Sequence, residues 1–448
     1  MRPGRMRQVF LFAFALLAIT VVVFRALRSS DFRVYYYASR VLIEGHGHLY
    51  GPLSGIGWPQ YFRYSPLFLL VFLPVALLPF KLAVALWAAL KCAAVYLVTR
   101  ALARRVGVPR TGLWWTLALV LCGGFVVQEF GLGNAQFLIF ALVAAGLLSL
   151  DRGPWRSAFP LALAASLKIW PLFFVPYLAA RRRPRLAGQI MAFVAALTFL
   201  PAAYFGWSGN LRLLREWFVQ EWTTGSLQVG MWFPGQSLSG ILERYLTRMD
   251  YSTWTDRNYV QLHLLHIDPA YIPWIWFALV GAAYACLLWL AHQTIEAENA
   301  TPALLIDALA FCAVPLLEPF AHRIAFVVLL WPAVVASALV ARKGMPSAAS
   351  RALICAAAAI EAVEAFTPGA RMQRLYQIVG VDFWAACILA AGLLVAWVEW
   401  RRTLASQVLT IEIDLDLQRQ RACEELLPVI ASAGGELHHR GIGKKGDG

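Results

Sequence analysis

The chain has 448 residues, 60% of them hydrophobic and 14% charged, with a mean hydropathy of +0.62. A soluble domain is about a quarter charged, so a soluble fold is excluded. The net charge of +14 does not point to nucleic acid, because the basic residues sit in short clusters beside apolar runs, such as Arg100, Arg104 and Arg105, or Arg181 to Arg183. That is the arrangement of membrane loops facing the cytoplasm, in contact with anionic lipid.

Apolar runs long enough to cross a bilayer as helices recur along the chain. They predict spans at roughly 8–27, 81–99, 111–127, 134–150, 186–206, 272–292, 302–317, 323–341, 350–366 and 382–400. The first run is about 20 residues long and has no small-x-small cleavage site after it, so it reads as a retained span. Two regions stay open. Residues 66–80 carry Pro66, Pro74 and Pro79, and residues 158–180 carry Lys168 and Pro171 in mid-run. Proline and lysine argue for a break there. A re-entrant 66–80 with a broken hairpin at 158–180 keeps the basic clusters inside and puts Lys168 near the outer face. The expectation is an all-α polytopic membrane protein of about 11–13 membrane helices. Residues 1–402 form the membrane domain, with outer loops at 28–65 and 207–271, and 403–448 form a cytoplasmic tail with a disordered end. Both termini are expected inside.

The stretch SSDFRVYYYASRVLIEG (29–45) puts Asp31 just after the first span. Alone, such an acid reads as an interfacial group or the N-cap of a helix starting near Phe32. Arg33, Tyr35, Tyr36, Tyr37 and Arg40 follow with the spacing of an amphipathic helix on the membrane surface, and FRYSP (62–66) adds Arg63. An acid, phenols and guanidinium groups near headgroups suit a sugar phosphate.

QEFGLGNAQF (128–137) offers Asn134 and Gln136, either for sugar hydroxyls or to satisfy helix ends. Lys168 in AASLKIWPLFF places an ammonium at membrane depth, which is costly without a partner; it reads as a phosphate contact or as a snorkelling side chain. LLEPFAHRIAF (316–326) groups Glu318, His322 and Arg323 in a turn. Trp217, Trp222 and Trp232 in the second outer loop either stack on sugar rings or sit in the interface. Asp414-Leu415-Asp416 spells a metal-binding D-x-D but alternates with apolar residues in a strand-like tail, so an exposed strand face is the better reading. The glycine patterns of nucleotide-binding turns are missing. Cysteines lie in apolar stretches or the tail, and imply no disulfide framework.

The order of these motifs resembles glycosyltransferase family 87. The carriers are the Asp after the first helix, VYYYASRVLIEGHGHLY, FRYSPLFLLVFLPVALLP, the stretch from GNAQF to LAARRR, WFPGQSLSGIL and EPFAHRIAFVVLLWP, over about residues 8–400. The resemblance implies a GT-C-type multi-helix bundle. It also implies transfer of mannose, or another hexose, from a polyprenyl-phosphate donor to a glycan or glycolipid acceptor at the outer face of the cell membrane. By match, Asp31 falls on the catalytic acid, His322 on a later histidine and Lys168 on a central lysine; Glu318-Pro319 stands where members often have Ser-Pro. The expected substrate-binding set is Lys168, His322, Arg323, Arg63, Tyr35, Asn134, Gln136 and Glu318. No metal or other cofactor is expected, since no paired acids are seen in the outer segments. A flippase for lipid-linked sugars, or an outer-face polysaccharide polymerase or ligase, would need the same groove and cations.

Overall fold

The computed structural model describes residues 30–45, 48–51, 54–56, 60–107, 112–150, 152–224, 235–248, 260–294, 301–341 and 346–403. The span expected at 8–27, most of the tail, Trp232 and Trp254 lie outside these residues. Among the described residues the fold is all-α, with one isolated bridge, between His48 and Ser54, in place of any strand.

Five described helices are long and apolar enough to cross a membrane: Phe80–Val106, Trp115–Leu132, Pro269–Gln293, Arg323–Ala341 and Val381–Thr403. A sixth would be the pair Pro184–Phe199 and Ala202–Thr223, bent by 92°. The molecule is therefore a polytopic helical membrane protein. The remaining expected spans among the described residues are short, broken or carry charges. Pro66–Ala76 has 11 residues, roughly 16 Å of helix, and stops before Pro79. Gln136–Leu147 and Thr301–Leu317 are likewise short. Ala348–Phe366 carries Glu361 and Glu364.

The element names run α1 (Ser30–Glu44), α2 (Pro66–Ala76), α3 (Phe80–Val106), α4 (Gly112–Leu132), α5 (Gln136–Leu147), α6 (Pro154–Leu167), α7 (Phe174–Ala180), α8 (Pro184–Phe199), α9 (Ala202–Thr224), α10 (Leu238–Leu246), α11 (Ile272–Gln293), α12 (Thr301–Leu317), α13 (Leu330–Ala341), α14 (Ala348–Phe366), α15 (Ala370–Val379) and α16 (Val381–Thr403).

Both segments expected as outer loops contain helices among their described residues. α1 occupies the first. Its apolar face packs on protein: Phe32 and Ala38 are fully buried and Tyr35 nearly so. Their ring partners are Phe68 and Phe72 of α2 and Trp87 of α3, with centroids 5.1–6.2 Å apart. Such edge-on and tilted pairs are favourable beyond their area. The second segment begins with α9, which runs on to Thr224 after non-helical geometry at Gly206 (φ 71°). Pro201, which has no N–H to donate, sits at the 92° bend between α8 and α9.

The break expected at Lys168 is present. α6 ends at Leu167, Lys168 is extended (φ −148°, ψ 145°), and a 3₁₀ turn over Trp170–Phe173 leads into α7. Pro171 cannot donate to the Leu167 carbonyl four residues back. The backbone N–H of Ser65 donates to it instead, at 3.2 Å, and the Ser65 hydroxyl donates to the Ser166 carbonyl. The break thereby docks the Arg63–Ser65 strand of chain beside Lys168.

The basic cluster at 181–183 is not wholly a lipid-facing feature. Arg181 is buried and pairs with Asp307 of α12 at 2.7 Å, and Tyr177 donates to the same carboxylate oxygen at 2.6 Å. By chain packing the molecule divides into two units, Met1–Ala396 and Trp397–Gly448; the site below belongs to the first.

Candidate functional site

Asp31 stands in the first turn of α1, where a carboxylate interacts favourably with the helix dipole. Opposite it is the turn Gly133–Ala135 between α4 and α5. Gly133 adopts φ 69°, a conformation that costs glycine nothing. The turn projects Asn134, whose Nδ2–H donates to Asp31 Oδ2 at 2.7 Å. Asn134 Oδ1 accepts from the Gln136 N–H at 2.8 Å and from the Tyr64 hydroxyl at 3.3 Å. With two donors on the oxygen, the amide nitrogen must face the carboxylate.

A chain of hydrogen bonds supports this pair. The Ala135 N–H donates to the Tyr35 hydroxyl at 3.3 Å, Tyr35 donates to Tyr64 at 3.1 Å, and Tyr64 donates to Asn134. Such chains polarise one another in a low dielectric. Burial holds both phenols protonated, with pKa values raised above the ordinary tyrosine range.

Asp31 opens onto a cavity of about 1320 Å³. Cations line it. Lys168 Nζ donates to Gln136 Oε1 at 2.9 Å and lies 5.6 Å from the Tyr64 ring centre. Arg63 lies over Phe320 at 5.3 Å and pairs loosely with Glu221 at 3.8 Å. His322 and Glu318 line the same wall. Burial, helped by nearby Arg63 and Lys168, lowers the His322 pKa to about 3, so the imidazole is neutral at physiological pH. Burial raises the Glu318 carboxyl, against the opposing pull of Lys168 and Arg63. Buried polar atoms at the cavity without a hydrogen-bond partner among the described residues include Gln136 Nε2, Glu221 Oε1, Glu318 Oε2 and the indole nitrogens of Trp170 and Trp276. Buried polar groups are normally satisfied, so these are groups that a polar ligand can use.

The lining holds an apolar set, with Leu172, Phe173, Trp276, Phe277, Val280 and Leu317, and a second set with Tyr61, Trp217, Phe218, Glu221 and Trp222. The four α9 residues share one helix face, at spacings of one, three and four.

Of the expected residues, the structure brings together Asp31, Tyr35, Arg63, Asn134, Gln136, Lys168, Glu318 and His322 around this cavity. Arg323 is placed elsewhere. His322 is extended (φ −89°, ψ 167°) and precedes a 3₁₀ turn over Arg323–Leu329, so consecutive side chains diverge. Arg323 pairs with Glu364, reaches Asp382 at 3.7 Å and stacks on Phe125 at 5.4 Å. A phosphate contact is not proposed for it. Among the described residues, Glu361, Glu364 and Asp382 are the one acidic group with spacing for a shared metal ion, within 4.8 Å of one another. Arg323 already supplies positive charge there, and none of the three lines the cavity.

Sequence reading missed Tyr64 and Glu221. Tyr64 stands inside the quoted FRYSP motif but is one of many tyrosines. Glu221 could have been found from the Trp217-Phe218-Glu221-Trp222 face, had the segment been read as a helix. Lys91 and Glu129, a buried pair behind the site, were also missed, although a lysine in the middle of the 81–99 span is costly without a partner.

The family model described as glycosyltransferase family 87 matches residues 62–319, more than half of the chain. The match begins after Asp31 and ends before His322. No curated protein matches the chain, and no solved structure does.

Proposed function

The chain belongs to glycosyltransferase family 87, and from that premise we propose that the cavity takes a polyprenyl-phosphate hexose, mannose foremost, and transfers the sugar to a hydroxyl of a glycan or glycolipid. The observation that carries this reading is the meeting at one cavity of Asp31, held by Asn134, with Lys168, Arg63 and a neutral His322. The donor's tail suits the apolar set with Phe173 and Phe277, and its phosphate suits Lys168 and Arg63. The acceptor suits the set with Trp217 and Trp222, where rings can stack.

The reaction is a single displacement with inversion. Asp31 accepts the acceptor hydroxyl's proton as that oxygen bonds to the anomeric carbon. The bond from that carbon to the phosphate oxygen breaks, and polyprenyl phosphate leaves with the electron pair. General base catalysis contributes typically about 10²–10⁴-fold. The charge that develops on the leaving phosphate is met by the fixed cations, the kind of preorganised stabilisation that is usually the largest single contribution. No metal is required in this scheme, because Lys168 and Arg63 supply the positive charge. The membrane orientation that fits is the site at the outer face and both termini inside.

The test is sugar transfer from radiolabelled polyprenyl-phosphate mannose in membranes, comparing the natural chain with Asp31→Asn at equal protein level, with and without a chelator. A product larger by one hexose, unaffected by chelation and absent with Asp31→Asn, is the expected result. Equal labelling by both proteins would remove Asp31 as base. A long glycan product would favour a polymerase, and a chelator-sensitive rate would bring in a metal.

A further inference from the structure

Behind the Asp31–Asn134 contact lies a buried ion pair that does not line the cavity. Lys91 of α3 and Glu129 of α4 are 1% and 0% exposed, and their charged atoms are 2.7 Å apart. A buried ion pair is a weak device for stability, since desolvation offsets its attraction, and apolar replacements of similar volume are often neutral. Its use here is positional.

The pair grips both flanks of the Gly133–Ala135 turn. Lys91 Nζ donates to the Glu129 carbonyl at 3.2 Å and to the Asn134 carbonyl at 2.9 Å. Glu129 Oε1 accepts from the Phe137 N–H at 3.1 Å, which ties the end of α4 to the first turn of α5. Trp87, one helical turn before Lys91, adds a bond from its indole N–H to the Gly133 carbonyl at 3.0 Å. The backbone of Asn134 is thus held from α3, and its side chain can present Nδ2 only toward Asp31. We infer that Lys91 and Glu129 are positioning residues for the transfer reaction: they hold the Asn134 turn, and through it the catalytic carboxylate, while touching no substrate themselves. This inference rests on the reading of Asp31 as base.

The experiment uses the full-length chain in membranes with polyprenyl-phosphate mannose as donor. The double variant Lys91→Met/Glu129→Gln removes both charges and keeps volume. The expected result is folded protein whose kcat falls on the order of 10²-fold, the effect of a small misplacement of a reacting group. Donor KM stays within about twofold, because no binding contact is lost. The same double change made in an Asn134→Ala background, which retains measurable transfer, costs little further, because residues acting as a unit are not additive. A structural role alone would lower yield and leave kcat per folded molecule unchanged; that outcome overturns the inference, as does a full additive loss in the Asn134→Ala background. If the double variant does not fold, Lys91→Gln/Glu129→Gln, which strands no buried charge and keeps an acceptor for the Phe137 N–H, carries the same expectation. Failure of the underlying reading is distinguishable: there Asp31→Asn itself keeps full kcat. An inactive Asp31→Asn beside a fully active Lys91→Met/Glu129→Gln overturns only the positioning role.

Discussion

The carboxamide of Asn134 donates to the carboxylate of Asp31 at 2.7 Å across 103 residues of chain. The contact joins the first described helix to the turn between α4 and α5, and it faces the cavity that also holds Lys168 and His322.

Asn134→Ala is expected to lower kcat by one to two orders of magnitude with little change in expression, since the carboxylate loses the amide donor that orients it, and near-attack geometry is worth up to about 10²-fold for small displacements. Steady-state transfer assays at saturating donor and acceptor check this. Wild-type kcat in the folded variant would sever the link between Asn134 and catalysis.

The two cations are expected to differ. Lys168 donates to the neutral Gln136 and faces the Tyr64 ring, whereas Arg63 is shared with the acid Glu221. An acid partner already offsets part of the Arg63 charge, so less of it is left for a phosphate. Lys168→Gln therefore loses about 10²–10³-fold in kcat, the scale of one lost stabilising donor. Arg63→Gln loses less, and mainly in donor KM. Kinetics of the two variants with the same donor decide it, and an equal or reversed ranking counts against the placement of the phosphate.

His322 makes a signed claim about pH. Its folded pKa is lowered to about 3 by burial, then by Arg63 and Lys168, while an unfolded histidine titrates near pH 6.5. Between those values the unfolded chain binds the extra proton, so this contribution to stability is complete above about pH 6.5 and is lost as pH falls toward 3. Thermal unfolding in detergent, followed from pH 7 to pH 4, is expected to lose stability more steeply in the natural chain than in His322→Asn. A second consequence is kinetic: no inflection assignable to His322 falls between pH 6 and 8. Identical acid sensitivity of the two proteins would contradict the buried, neutral imidazole.

Some of this was legible in residues near one another in the chain. The helix breaks followed from Pro79 and Lys168-Pro171, because a missing N–H and a buried ammonium act on their own turn. Asp31, Asn134, Gln136, Lys168 and His322 stood out as polar residues in apolar surroundings. What α1 packs against was not legible. The spacing of Phe32, Tyr35 and Ala38 defines an apolar face, but a face does not say whether lipid or Phe72 and Trp87 will cover it. Arg323 was misplaced for the same reason: adjacent to His322 in sequence, it turns away to Glu364 and Asp382.

By itself the sequence determined the solvent and the punctuation: an apolar, all-helical membrane chain with breaks at its prolines and a few charges that needed partners. Hydropathy and backbone chemistry are local, so they can be read residue by residue. Only the tertiary structure decided the partners. Lys91 with Glu129, Asp31 with Asn134 and Arg323 with Glu364 are separated by 38, 103 and 41 residues. The cost of a buried charge says that a partner must exist, and the path of the helices says which one it is.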